Sequence, residues 1–359
     1  MAQAEQIRQE DLEPVSVVSG ANINDQDVEL YCQMHAGSAF FHRPGWAHLV
    51  EEVYGHRNQT LIAKTGDRIT GVLPLNLVKS PLTGKALISN AFAVGSGILS
   101  SDEQSHQALA AAAIDLGRDE NVDYIELRST EATLEGWHTK ASTYVGFEKP
   151  IAQTPDEILS SIPRKRRAEL RKALKLEKEG RLTFTRDTSI DHFYRLYALS
   201  LRNLGTPVFP KRFAQAIVDR FRDKIDLLTV HYDGEPIASL LSFEHGNRIM
   251  PYYVGASAQA RPSRGFDFIY WQQMLIARER GLDLFDFGRS KVNIGSYGFK
   301  KTWGIEPTPL AYQVKLIGTQ TMPDINPNNP KFQLATRVWK RLPVPVATLG
   351  GGVLARHFA

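Results

Sequence analysis

The octapeptide Gly66-Asp67-Arg68-Ile69-Thr70-Gly71-Val72-Leu73 returns 168 positions later as Gly234-Glu235-Pro236-Ile237-Ala238-Ser239-Leu240-Leu241. The same offset carries Phe41 onto Phe209 and Val50-Glu51 onto Val218-Asp219. Further on, Asp123-Tyr124-Ile125-Glu126-Leu127-Arg128-Ser129 is echoed by Asp283-Leu284-Phe285-Asp286-Phe287-Gly288-Arg289-Ser290. There the offset is 160 or 161, because the region between the echoes is shorter in the later copy, which also gains Gly288. A period this long means two similar domains rather than a solenoid of small stacked units. Only the second copy runs on into Tyr297-Gly298-Phe299-Lys300-Lys301-Thr302-Trp303-Gly304. One copy therefore reads as structural and the other as carrying the polar end of a site.

Working outward, Thr60 to Lys64 and Ile69 to Val78 read as a strand pair turning at Thr65-Gly66-Asp67. Its twin is Leu227 to Tyr232 and Ile237 to Glu244, turning at Asp233-Gly234. A third strand follows each hairpin, near Leu87 to Phe92 and Arg248 to Val254, then a helix, Glu103 to Arg118 and Gly265 to Arg280, then a buried strand, Tyr124 to Leu127 and Leu284 to Phe287. This order is an α+β pattern, with helices flanking a mainly antiparallel sheet. Val15 to Val18 reads as a strand, Asn24 as the N-cap of a helix, and Pro44 to Tyr54 as a second helix closed by Gly55. Between the copies, Thr154-Pro155-Asp156-Glu157 is a capping box with proline at the first helical position. A second helix then runs to about Glu179, and its stretch Arg164 to Lys178 holds eight basic residues against two acidic ones. The expected organisation is a loose 1–14, a first domain at 15–150, basic linker helices at 151–180, a second domain at 181–320 and a proline-rich tail at 321–359 with one helix from Phe332 to Leu342.

The 359 residues are 42% apolar and 23% charged, an ordinary globular composition. The net charge of +4 mildly favours an anionic partner. Cys32 is the sole cysteine, which excludes an internal disulfide and a CxxC metal knuckle. Met1-Ala2-Gln3-Ala4-Glu5 lacks the basic-then-apolar order of a signal peptide, and no stretch has the ~18 apolar residues of a membrane span. The expected location is cytoplasmic. His42, His48 and His56 lack carboxylates at ligand spacing, and no HExxH, GxSxG or GxxxxGK[ST] pattern is present. No bound metal is expected.

The chemistry concentrates after the second buried strand. Asp286 sits among apolar residues, where an ionised carboxylate is costly unless paired. Arg289 and Lys300 are the obvious partners, and the same residues would equally make a structural ion pair. Just beyond come Asn293, Gly295, Tyr297, Gly298, Phe299, Lys300, Trp303 and Gly304, a set suited to a walled cationic pocket. Arg261, Arg264 and Gly265 lie between a strand and a helix, where backbone N–H groups can cradle an anion. Val94-Gly95-Ser96-Gly97, the counterpart in the first copy, reads as a tight turn. Arg167 and Arg171 on the basic helix have few acidic neighbours and could hold phosphates, although most charge runs are solvated faces.

Phe285-Asp286-Phe287-Gly288-Arg289-Ser290 and Gly298-Phe299-Lys300-Lys301-Thr302-Trp303-Gly304, with Arg167, Arg171, Lys172 and Ala173 ahead of Gly180, resemble the FemAB group of transferases. The resemblance covers about residues 15 to 315. It is closest to a subgroup associated with exosortase/PEP-CTERM and exopolysaccharide loci, which the tail Trp339-Lys340-Arg341-Leu342-Pro343-Val344-Pro345-Val346 also resembles. It implies two tandem GNAT-like domains. It also implies transfer of an acyl or aminoacyl group to an amine, or a hydroxyl, of a cell-envelope or polysaccharide precursor. No tightly bound cofactor is implied: the acyl donor, aminoacyl-tRNA or acyl-CoA, is a cosubstrate. Phe299 and Lys300 would correspond to a phenylalanine–lysine pair at the acyl site of the peptidoglycan members. Arg261 to Gly265 is poorer in glycine than a standard CoA pyrophosphate loop, and the 164–179 helix is too short for the coiled-coil arm of some members.

The expected catalytic set is Lys300 stabilising an oxyanion or donor phosphate, Arg289 binding an anionic group, and Asp286 orienting Arg289 or accepting the amine proton. Tyr252, Tyr253 and Tyr297 are candidate pocket walls, with Trp303 packed behind the lysine. Expected partners are the donor, the envelope or polysaccharide precursor, tRNA, and peripherally the inner membrane surface, with no DNA. The rival reading is a non-catalytic module that binds tRNA or an anionic polysaccharide through the basic helix.

Overall fold

The computed structural model describes residues 13–141, 143–292, 295–322 and 336–357. Both hairpins form. Leu61–Thr65 pairs with Arg68–Leu73, and Ile225–Tyr232 pairs with Glu235–His245. The second turn has positive φ at both Asp233 (50°) and Gly234 (86°), the combination that a tight right-twisting hairpin needs.

The two copies then diverge. Pro74 interrupts the expected Ile69–Val78 strand, since proline offers no ladder N–H. Arg68–Leu73 stays in a four-stranded sheet with Val15–Ser19, Leu61–Thr65 and Leu99–Ser100, while Asn76–Ser80 starts another. That second sheet has six strands, in the order Arg57–Asn58, Asn76–Ser80, Gly84–Ile88, Tyr124–Arg128, Tyr312–Leu316, His138–Lys140. In the other half the strand Glu235–His245 is unbroken. Its six-stranded sheet runs Glu148–Pro150, Leu284–Asp286, Arg248–Ala256, Glu235–His245, Ile225–Tyr232, Leu182–Arg186. Each six-stranded sheet has one parallel pair, Gly84–Ile88 with Tyr124–Arg128 and Arg248–Ala256 with Leu284–Asp286. The helices Glu103–Asp119 and Gly265–Glu279 make the crossovers.

Each half lends a strand to the other. Glu148–Pro150, ahead of the second copy, pairs with Leu284–Asp286. Tyr312–Leu316, behind it, pairs with Tyr124–Arg128. The junction is also the main core: Phe40, Phe41 and Trp46 from one half pack with Phe193, Phe209, Phe213 and Phe243 from the other. Phe41 and Phe209, the echoed pair, both lie in this cluster.

The local signals hold. Asn24 Oδ1 accepts from Gln26 N, Thr154 and Glu157 form their reciprocal box, and Gly55 and Gly180 end helices at φ 72° and 71°. The basic helix is Arg164–Lys178. In the tail, residues 336–339 are helical, and the rest of the expected helix up to 335 lies outside the described residues. A further helix, Val344–Leu354, escaped the sequence reading because Pro343 and Pro345 look like breakers; they occupy its N-cap and first turn, where proline is tolerated.

Candidate active site

Arg248–Ala256 and Leu284–Asp286 are in register only at Arg248–Leu284 and Ile249–Phe285, then part. Beyond Ile249 no strand among the described residues pairs with that edge. On the opposite edge a bulge places Tyr252 between the Leu241–Tyr253 and Ser242–Pro251 pairs. Bulges of this kind re-aim side chains and loosen pairing near functional sites.

Asp286, Gly288 and Arg289 stand where the strands separate. Gly288 turns the chain at φ 70°. Asp286 Oδ1 accepts from Gly288 N at 2.7 Å. Burial, together with Glu148 opposite it in the ladder, raises the Asp286 carboxyl to about 6, against the pull of that N–H. Glu148 itself pairs with Arg248 at 3.0 Å. The expected Asp286–Arg289 and Asp286–Lys300 pairs do not form. Arg289 turns instead to aromatic rings: Nη1 donates to Tyr312 Oη at 2.8 Å, and the guanidinium lies 4.4 Å from the centre of the Tyr144 ring. Among the described residues its one side-chain hydrogen bond goes to Tyr312 and it has no carboxylate partner, so most of its donors remain unspent. Lys300 is buried, and its Nζ donates to the carbonyls of Gly288 (2.9 Å) and Arg289 (3.0 Å). Burial lowers the amine to about 8. Two of its three donors thus hold the turn between Asp286 and Arg289, and one is left over.

The first copy shows what the echo looks like when sealed. Arg128 Nε pairs with Glu126 Oε1 at 3.1 Å, and its Nη1 reaches the carbonyls of Asn90 and Ala93. Ser89 Oγ caps Arg128 N. In a strand, residues i and i+2 share a face, so Glu126 meets Arg128. The extra Gly288 breaks that relation and frees both Asp286 and Arg289.

The other expected residues scatter. Tyr297 meets Phe147 edge-on at 5.7 Å. Phe299 packs against Tyr270 and Trp303, with the Arg166 guanidinium 4.3 Å over its ring. Trp303 is wholly buried beside Phe287. Tyr252 Oη donates to Phe92 O across the junction at 2.8 Å, and Tyr253 lies against Tyr197 and Phe209. Asn293 lies outside the described residues.

The anion cradle is differently used. Arg264, at φ 62°, pairs with Glu169 at 2.8 Å, and Arg261 is exposed. Gly265 answers to packing: a Cβ there would stand 2.8 Å from Ile237 Cδ1. The first turn of its helix already holds a buried carboxylate, Asp267, which is raised by burial and faces Arg166 Nε at 2.7 Å, off the hydrogen-bond angle. On the basic helix, Arg166 is therefore paired, and Arg167 Nη1 donates to Ser160 O. Arg171 stays exposed, as do Arg164 and Lys165. The acidic partner of Arg166 comes from elsewhere in the chain, which a scan of i+4 spacings cannot see, whereas Lys172 and Lys175 pair locally with Glu169 and Glu179.

Tyr144, Tyr312 and Glu148 were missed, and Arg166, read on the basic helix as a phosphate-binding candidate, pairs with Asp267 instead. Tyr312 stood in the alternation Leu310-Ala311-Tyr312-Gln313-Val314, a strand signal after the second copy. Tyr144 and Glu148 gave no local signal. A surface groove lies away from these residues, between the helix Asp25–Met34 and Lys64 to Ile69. Among the described residues, no group of three His, Cys, Asp or Glu could hold a metal ion.

No curated protein matches the chain. In fold it is similar to the crystal structure of FemX (15% identity, TM-score 0.69, covering 89% of this chain and 100% of that one). A tandem GNAT protein from the clavulanic acid biosynthesis pathway is also similar (13%, TM-score 0.54, 86% and 100%). So is the C-terminal domain of a putative lysylphosphatidylglycerol synthetase from Agrobacterium fabrum (15%, TM-score 0.53, 83% and 93%). Residues 164–301 match the family model described as an acetyltransferase (GNAT) domain, and the fold of the whole chain is similar to that of tandem GNAT proteins.

Proposed function

We propose that the chain transfers an acyl or aminoacyl group to an amine of a cell-envelope or exopolysaccharide precursor, with the site at the parted strands of the second copy. The observation that carries this reading is the pair Asp286 and Arg289, freed from each other by Gly288 where the first copy has a closed ion pair. The donor is a cosubstrate, acyl-CoA or aminoacyl-tRNA, as is usual for domains of this kind.

The amine nitrogen attacks the carbonyl carbon of the donor, the new C–N bond forms, and the bond to the sulfur or oxygen of the carrier breaks. Asp286, titrating at about 6, is ionised at neutral pH and accepts the amine proton. Arg289 offers its unspent donors to an anionic group of substrate. Lys300 positions both by holding the Gly288 and Arg289 carbonyls, and its remaining N–H can meet the oxyanion.

The test is binding of purified protein to acyl-CoA, aminoacyl-tRNA and nucleotide-sugar panels, followed by transfer assays. The expected result is a ligand that raises Tm in the wild type and not in Arg289→Ala, with transfer lost in Asp286→Asn. Wild-type turnover by Asp286→Asn would remove the base. A tRNA or polysaccharide that binds both variants normally, is released by charge reversal at Arg171, and is never acylated would establish a binding module instead.

A further inference from the structure

We infer that residues 336–357 form a docking surface for the face of an anionic lipid bilayer. The helix Val344–Leu354 turns Ala347 and Gly351 inward, so closely that a Cβ on Gly351 would stand 2.6 Å from Val208 N. Its opposite side exposes Val346 (51%), Leu349 (79%) and Val353 (64%), which share one stripe at helical spacing. Val338 (54%) and, from the helix Asp191–Leu204, Leu204 (65%) are also exposed. Gly205 lies against Thr336 and Lys340, and Arg202 Nη1 donates to Lys340 O, which brings Leu204 close to this segment.

The charge pattern selects the occupant. No charged residue falls between Leu342 and Ala355. Exposed Arg337, Lys340 and Arg341 precede that stretch, and exposed Arg356 follows it. From residue 325 to 359 the sequence has no aspartate or glutamate. The elements beneath, residues 191–212, contribute one carboxylate, Asp191, held by Lys211 at 2.7 Å. An apolar stripe with a cationic rim and no anion fits the boundary of an anionic bilayer, the apolar side chains entering the acyl region and the arginines meeting headgroup phosphates. A second copy fits poorly, because facing rims would set like charges together. Eleven residues of helix reach only about 16 Å, too short to span a bilayer. The inference stands on this surface alone and is independent of the transferase reading.

The experiment is flotation of the full chain with vesicles of phosphatidylglycerol and phosphatidylcholine, against phosphatidylcholine alone. The wild type should float with the anionic vesicles only, and less at high salt. Leu349→Glu with Val353→Glu, both exposed, should cut partitioning about tenfold or more at unchanged Tm, and Arg337→Glu with Arg341→Glu should do likewise. Absence of flotation would overturn the inference, as would flotation indifferent to these changes. So would competition by inorganic phosphate at equal ionic strength, which would mean a bare phosphate site. A dimer that Leu349→Glu dissolves, without vesicle binding, would assign the stripe to a second copy.

Discussion

Asp286 is held ionised at neutral pH in a setting that disfavours its charge. Its folded carboxyl titrates at about 6, above the 3.8 of a free side chain. Above pH 6 it is ionised in both folded and unfolded chains, so the burial cost is fully present there, about 2–3 kcal/mol. As pH falls from 6 toward 3.8 the folded state takes up the proton first and the cost fades. Asp286→Asn keeps an oxygen to accept Gly288 N–H while deleting the charge. It should therefore raise Tm at pH 7.5, raise it much less at pH 4, and abolish transfer. An equal rise at both pH values would trace the gain to packing rather than charge. Transfer by the wild type should fall as pH drops through about 6, because the base becomes protonated. A rate flat across pH 5 to 7 would place the proton acceptor elsewhere.

At the scale of elements, the strand Arg248–Ala256 and the helix Asp191–Leu204 meet at Gly255. A Cβ there would collide with the backbone of Tyr197, and Ser200 Oγ bridges the N–H and carbonyl of neighbouring Ala256. Backbone cannot swing aside as a side chain can, so Gly255→Ala should destabilise by about 1–3 kcal/mol, read from urea unfolding. An unchanged midpoint would mean that the helix yields without cost. The elements legible in the sequence were those whose signals are local: the caps at Asn24 and Thr154, the stop at Gly55, the turn at Asp233-Gly234. Pro74 was legible in principle, and its effect was lost because the twin strand lacks a proline at the matching position. The site was half legible. The motif pointed to Asp286, Arg289 and Lys300, but a buried carboxylate near two cations invited an ion pair that the extra Gly288 removes. The tyrosines around Arg289 come from residues 144 and 312, before and after the second copy, and only the fold brings them together.

The same exchange governs the whole molecule. The echoes suggest two domains cut from contiguous stretches, yet the sheet of the first half is completed by Tyr312–Leu316 and that of the second by Glu148–Pro150. The borrowed strand Glu148–Pro150 lies alongside Asp286, and Tyr312 holds Arg289, so the lent segments also build the candidate site. The core adds to this coupling, since Phe40, Phe41 and Trp46 are buried against Phe213 and Phe243 of the other half. Separating the halves would expose this cluster and leave unpaired edges on both six-stranded sheets, costs that neither half can meet alone. The chain should accordingly unfold in one transition, with the same midpoint by tryptophan fluorescence and by far-ultraviolet circular dichroism. Phe243→Ala, placed in the second half, should shift that single transition as a whole by the about 3–5 kcal/mol typical of a buried phenylalanine. Two resolved transitions, only one of them moved by Phe243→Ala, would show that the halves fold independently and that the exchanged strands merely decorate them.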